Sequence, residues 1–163
     1  MLAHVRETAT STGLHVRVIR RDATARCGPL GGIITGFRRS RANALLFLAC
    51  DMPFVSVALI RRIVRASRKG TRTAFSLSEG GAGFPFLIPR AALTLIEQQR
   101  ERREYSLQQL AIRLEARRVR VPSKAVFNIN TPEDFERVLE GSGIKDRIGI
   151  RNQSVHRPAN SNL

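Results

Sequence analysis

Cysteine is scarce in this chain. Cys27 and Cys50 are the only two in 163 residues, so neither a disulfide framework nor a paired metal-ligand spacing organises it. As thiols they suit a reducing cytoplasm, and Cys50, inside an apolar run, reads as a small core residue. Tryptophan is absent and there is one tyrosine, Tyr105, which speaks against a base-stacking platform for nucleic acid. Acid is thin: 13 Asp and Glu stand against 28 Lys and Arg, a formal charge of +15. Only four of the acids are Asp, at 22, 51, 134 and 146. No apolar stretch approaches the roughly 20 residues of a membrane helix. The opening MLAHVRETAT has neither the apolar region nor the cleavage site of a secretory signal.

What remains is a chain of one-domain length, 42% hydrophobic, with material for a core. A balance this basic raises nucleic acid, anionic membrane or phosphorylated ligands as partners. The arginines, however, come in scattered pairs such as Arg20-Arg21, Arg38-Arg39, Arg61-Arg62 and Arg117-Arg118, without interleaved aromatics. That pattern reads as solvated helix faces with some phosphate steering, and nucleic acid as an unlikely partner.

The stretch around which the chain is organised runs from Ala44 to Ile60, ALLFLACDMPFVSVALI. Its unbroken apolar run through Cys50 predicts a central strand buried on both faces of a parallel sheet. Pro53 cannot donate to a ladder and ends it. Ser56 is placed to cap a helix that carries Leu59, Ile60, Ile63 and Val64 on one face. Asp51 then stands at the carboxyl end of the strand, where open α/β sheets bind ligands. It is either a turn acid or a carboxylate holding Mg²⁺ against substrate phosphates.

Before this stretch, Met1–Val5 reads as the tail of a strand, and His15–Arg21 alternates as a strand followed by Asp22. Gly28-Pro29-Leu30-Gly31-Gly32 opens a helix with Ile33, Ile34 and Phe37 on its apolar face. Such a start either exposes backbone N–H groups to a ligand or lets the helix pack close to a strand. After it come a short strand at 71–77, a glycine loop at 78–83, and a run at 84–88 that Pro85 demotes to an edge or irregular strand. Helices at 91–98 and 105–117 and a strand at 118–121 follow. In NINTPED, residues 128–134, Thr131, Pro132, Glu133 and Asp134 fit a helix start. Asn128 and Asn130 share one side if that segment is extended, and they either bond a ligand or satisfy local backbone. Residues 1–140 are expected to form one domain and 141–163 a disordered tail. The element order argues for α/β with a largely parallel sheet.

GPLGGI at 28–33, CDMPFV at 50–55 and NINTPED at 128–134, in this order and spacing, resemble the MobA-like nucleotidyltransferases; GFPFLI at 83–88 and REYSLQQL at 103–110 fit as well. The resemblance covers about residues 14–140 and implies a three-layer, Rossmann-like nucleotide-diphospho-sugar transferase fold with a mostly parallel sheet, here N-terminally truncated. It implies transfer of GMP from MgGTP to molybdopterin cofactor, with Asp51 as the Mg²⁺-binding catalytic acid. Asp22, Gly28, Leu30 and Gly31 would lie near the nucleotide, and Asn128 and Asn130 on the substrate side. The implied partners are GTP, molybdopterin cofactor and, further off, molybdoenzymes or other cofactor-biosynthesis proteins, in the cytoplasm. The family opens with a strand and a loop of the type LAGGxSxRMGxDK that cradles the triphosphate. Nothing like it stands here: the first Lys is Lys69, and no glycine cluster precedes Gly28. A non-catalytic remnant, a nucleotide-binding partner subunit and a basic nucleic-acid-binding domain are the competing readings.

Overall fold

The computed structural model describes residues 2–19 and 27–141. The chain divides into two compact units, 1–128 and 129–163. The first opens with helix α1 (Leu2–Thr10). A strand was expected at Met1–Val5, but Val5 and Ala9 lie one helical turn apart and both bury, while His4, Arg6 and Glu7 stay exposed. The Thr10, Ser11 and Thr12 hydroxyls donate back to the carbonyls of Arg6, Glu7 and Ala9 and close the helix end. Residues 14–19, where the alternation predicts a strand, form no regular element and belong to no ladder among the described residues.

Helix α2 (Gly28–Arg39) follows, then β1 (Ala44–Phe47), α3 (Val57–Ala66), β2 (Ala74–Ser78), β3 (Gly81–Pro89), α4 (Leu93–Glu101), α5 (Leu107–Arg113) and β4 (Arg117–Arg120). The sheet order is β1-β3-β2-β4. Only β2–β4 is parallel; β1–β3 and β2–β3 are antiparallel. The described sheet is therefore mixed, not mostly parallel, because a tight turn at Glu79 and Gly80 folds β3 straight back on β2 where an open glycine loop was expected. Gln108 locks that turn: its Oε1 accepts from the Ala82 N–H at 3.1 Å and its Nε2 donates to the Gly80 carbonyl at 3.0 Å.

The two faces of the sheet carry separate cores, which gives three layers. Leu30, Ile33, Ile34 and Phe37 of α2, Ile96 of α4 and Leu110 of α5 bury against Phe75, Phe86 and Ile88. Val5 and Ala9 of α1 and Leu59, Ile60 and Ile63 of α3 bury against Ala74, Leu87 and Val121 on the other face.

Two expectations about strands are corrected here. The run at 44–50 is an edge strand in the described sheet, with β3 as its one neighbour; it stops at Phe47 and is half-buried throughout. Its side chains do serve both cores, Leu45 and Phe47 on one side, Ala44 and Leu46 on the other. With the strand that short, Cys50 falls in a turn and is exposed, not a core residue. Conversely, the Pro85 run is the interior strand β3, paired on both sides. Pro85 is accommodated because the β2–β3 register jumps there: Phe75 faces Phe86, yet Ser76 faces Gly83. The buried Ser76 hydroxyl reaches the Gly83 and Phe84 carbonyls at 2.9 and 2.6 Å, satisfying the backbone that the bulge leaves out.

The second unit contains α6 (Pro132–Gly141). Thr131 caps it as expected, accepting from the Asp134 N–H at 3.1 Å, and the Asp134 carboxylate accepts from the Asn130 and Thr131 N–H groups. The tail from 142 onward, like Asp22, lies outside the described residues.

Candidate active site

The site is built on two chain turns that face one cavity. The first is the start of α2. Gly28 and Pro29 are exposed, no acid occupies the first turn, and Cys27 supplies no side-chain cap hydrogen bond. The first N–H groups of a helix have no intrahelical acceptor and carry the positive end of its dipole. Gly28 has φ +50, a conformation that other residues adopt at a cost. Further along, Gly36 lets α2 pack close to β1: a Cβ there would stand 2.9 Å from the Phe47 ring.

The second is the turn after β1. Asp51 follows the strand in a turn and precedes Ser56, whose hydroxyl accepts from the Leu59 N–H at 3.2 Å and starts α3. Asp51 is half-buried, and its Oδ1 is shielded from solvent with no hydrogen-bond partner among the described residues. An orphaned buried carboxylate oxygen is costly and uncommon in a folded protein. The Asn128 Oδ1 is buried and unpartnered in the same way. Phe54 and Phe127 bring the two chain segments together, with ring centroids 6.5 Å apart and the Lys124 ammonium 5.3 Å from the Phe54 centroid.

A cavity of about 1120 Å³ lies beside β1, which has β3 as its one strand neighbour among the described residues. Gly28, Gly32, residues 14–19, the β1 backbone and Asp51 line it. Among the described residues its cations are Arg6, Arg17, Arg39, Arg41 and Lys69, and Asp51 is its one acid. The Arg17 guanidinium donates to the Arg39 carbonyl, which ties residues 14–19 to the end of α2. Such a surface suits a ligand of high negative charge.

Thus Asp51 and Gly28 meet at one cavity. Leu30 does not reach it: the side chain is fully buried in the α2 core. Gly31 is buried too, its carbonyl accepting from the Thr35 hydroxyl at 2.7 Å, and Gly32 is the glycine that lines the cavity in its place. Asn128 belongs to the first unit with Asp51, whereas Asn130 belongs to the second. The cationic lining was missed by sequence reasoning, since Arg6, Arg17 and Lys69 are far apart in the chain and only the fold gathers them. Among the described residues no group of three or more His, Cys, Asp or Glu could hold a metal ion. A single carboxylate remains compatible with Mg²⁺, which keeps several waters and is completed by substrate phosphates. No helix of the described residues is long and apolar enough to cross a membrane.

Residues 2–119 match the sequence profile of the MobA-like NTP transferase domain. The molybdenum cofactor guanylyltransferase of Pseudomonas entomophila strain L48 is 32% identical over 111 residues, 65% of this chain and 58% of the relative. That of Acinetobacter baumannii strain ACICU is 30% identical over 95 residues, 56% of this chain and 46% of the relative. The chain thus spans roughly half the length of the curated relatives it matches. Among solved structures, the protein Aq1419 from Aquifex aeolicus VF5 superposes with a TM-score of 0.66 at 16% identity, over 80% of this chain and 78% of the other. Molybdopterin-guanine dinucleotide biosynthesis protein A from Archaeoglobus fulgidus gives 0.56 at 20% identity, over 71% and 63%. Rv0371C from Mycobacterium tuberculosis H37Rv, solved as a complex with manganese, gives 0.51 at 19% identity, over 82% and 73%. Sequence motifs, layered fold and profile agree: the chain belongs to the MobA-like NTP transferase family.

Proposed function

We propose that this chain carries out nucleotidyl transfer, moving GMP from GTP to the terminal phosphate of molybdopterin cofactor with release of pyrophosphate. The observation that carries the reading is Asp51, the one acid beside five cations among the described residues that line the cavity, with an Oδ1 that is buried and has no hydrogen-bond partner among those residues. In the reaction an acceptor phosphate oxygen forms a bond to the α-phosphorus, the bond from that phosphorus to the bridging oxygen breaks, and pyrophosphate departs with the electron pair. Little covalent chemistry falls to the protein; positioning and charge neutralisation dominate.

The Asp51 carboxylate would hold a divalent cation, Mg²⁺ in our reading, together with substrate phosphates. When bound, such an ion neutralises charge that develops on the phosphates. The manganese complex of Rv0371C supports a divalent ion at this fold. The exposed start of α2 directs N–H groups towards an anion. Arg6, Arg17, Arg39, Arg41 and Lys69 offset substrate charge and raise the encounter rate. On the family resemblance we assign Asn128 and Asn130 to the substrate side and Asp22 to the nucleotide side, with the buried Leu30 and Gly31 fixing the helix start from the core. Cytoplasmic residence, as a partner of molybdenum cofactor biosynthesis, belongs to the same reading.

The test is pyrophosphate release from MgGTP, with CTP as comparison, in the presence of molybdopterin cofactor. The expected result is GTP-dependent release that Asp51→Asn abolishes. Release that Asp51→Asn leaves unchanged would overturn the reading.

A further inference from the structure

Residues 52–78 and 116–128 contain no acid, and between them they hold ten Lys and Arg. In sequence these stretches are nearly 40 residues apart; in the fold they lie side by side. β2 pairs in parallel with β4, α3 packs over both, and the Arg62 guanidinium donates to the Arg120 carbonyl at 2.9 Å. On α3, Arg61 and Arg65 stand one turn apart, and Arg68 and Lys69 follow just past the helix end at Ala66, all four exposed. The two ion pairs found among the described residues, Arg100–Glu101 and Arg113–Glu104, involve none of these groups.

The row is a poor design for a helix alone. Like charges four residues apart repel, and α3 carries no acid to relieve them. Its end adds strain: Arg68 and Lys69 hold φ of 50 and 58 before Gly70 at 97. Residues with a side chain adopt this left-handed backbone only at a cost. Arg61, Arg65, Arg68 and Lys69 line one side of an open groove of about 530 Å³, with Thr12 and Leu14 opposite and no acid among the described residues of its lining. Arg62 and Arg117 carry the positive surface across to β4, Arg117 sharing the Val119 side of the strand that packs on α3.

We propose that this surface binds the phosphate backbone of duplex nucleic acid without reading sequence. The cations are spread along a helix and an adjoining strand edge, so they suit a linear array of phosphates better than one compact anion. The surface offers no tryptophan and no tyrosine on which unpaired bases stack, which favours a duplex over a single strand. Arginine forks are well matched to phosphate oxygens. The activity is separate from nucleotidyl transfer and stands whether or not that reading does.

The test is fluorescence anisotropy of a labelled 20-base-pair DNA duplex titrated with the full chain at several salt concentrations. Each phosphate neutralised contributes about −0.9 to the slope of log K against log salt, so five to six contacts give a slope near −5. Between 50 and 200 mM salt the affinity then falls about 1,000-fold. Combining Arg61→Gln, Arg65→Gln and Arg68→Gln should make the slope about three shallower. Should that triple variant fail to fold by circular dichroism, Arg65→Gln and Arg117→Gln singly should each make it about one shallower. The proposal is overturned by absence of binding at 50 mM salt, or by slopes that the substitutions leave in place. It is equally overturned if a single strand, phosphatidylserine vesicles or polyglutamate bind more tightly than the duplex and displace it.

Discussion

Replacing Gly36 by Ala sets two effects of similar size against each other, and the structure decides the sign. Gly36 lies inside α2, where alanine favours a helix by about 1 kcal/mol over glycine. Its backbone also forms the contact with β1 that sets how close the site's helix and strand approach. A Cβ at Gly36 would meet Phe47 Cε1 at 2.9 Å, Cζ at 3.3 Å and Leu45 Cδ1 at 3.4 Å. Phe47 is not free to retreat, because its ring stacks on Phe86 at 5.2 Å and meets the edge of Phe37 at 6.0 Å. Forcing an extra carbon into a packed core costs about 1–3 kcal/mol. The net expectation is destabilisation by about 1 kcal/mol, which for a chain of this size lowers Tm by about 2–4 °C. The assay is a double-mutant cycle with Phe47→Leu, followed by thermal and urea unfolding. Phe47→Leu removes the obstructing ring edge, so in its background Gly36→Ala should become neutral or stabilising, with a coupling energy of about 1–2 kcal/mol. A coupling near zero, or stabilisation by Gly36→Ala alone, would refute the close-packing argument.

Other outcomes follow from the same structure. Ser76→Ala leaves the Gly83 and Phe84 carbonyls at the Pro85 bulge without their hydroxyl; a loss of about 1–3 kcal/mol is expected by urea denaturation, and wild-type stability would show that water replaces the hydroxyl. Gly81→Ala combines φ +96 with overlap on the Gln108 amide; it should cost more than Ser76→Ala, and a Gln108→Ala background should recover part of the loss. Thr131→Ala removes the cap of α6 and should reduce helix stability by about 1 kcal/mol, read as faster amide exchange at Asp134.

Local rules carried furthest from the sequence. The caps at Ser56 and Thr131 depend on residues three positions apart, and both form as expected. The helix opened by Gly28-Pro29 and the Asp51 turn after an apolar run were legible for the same reason. What failed depended on neighbours far along the chain. An apolar run announces burial but not which strands flank it, so the 44–50 stretch reads as central although β1 is an edge in the described sheet. Pro85 reads as a strand breaker because no local rule foresees a bulge that excuses its missing N–H, nor Ser76 arriving to satisfy the carbonyls. The helix at Leu2–Thr10 is obscured in the sequence because, from Ala3 to Thr10, only Val5 and Ala9 are buried. At the site, sequence supplied the acid and the helix start; the cationic lining waited on three-dimensional proximity.

Calorimetric titration of GTP into the full chain, with and without Mg²⁺, for wild type and Asp51→Asn, tests the central claim most directly. If the buried Asp51 oxygen is a metal ligand, Mg²⁺ should tighten nucleotide binding at least tenfold. Asp51→Asn should remove that gain while the Tm of the nucleotide-free protein moves by less than about 2 °C, roughly 1 kcal/mol or less. Nucleotide binding indifferent to both Mg²⁺ and the substitution, with a marked fall in Tm, would make Asp51 a structural turn acid and contradict the account.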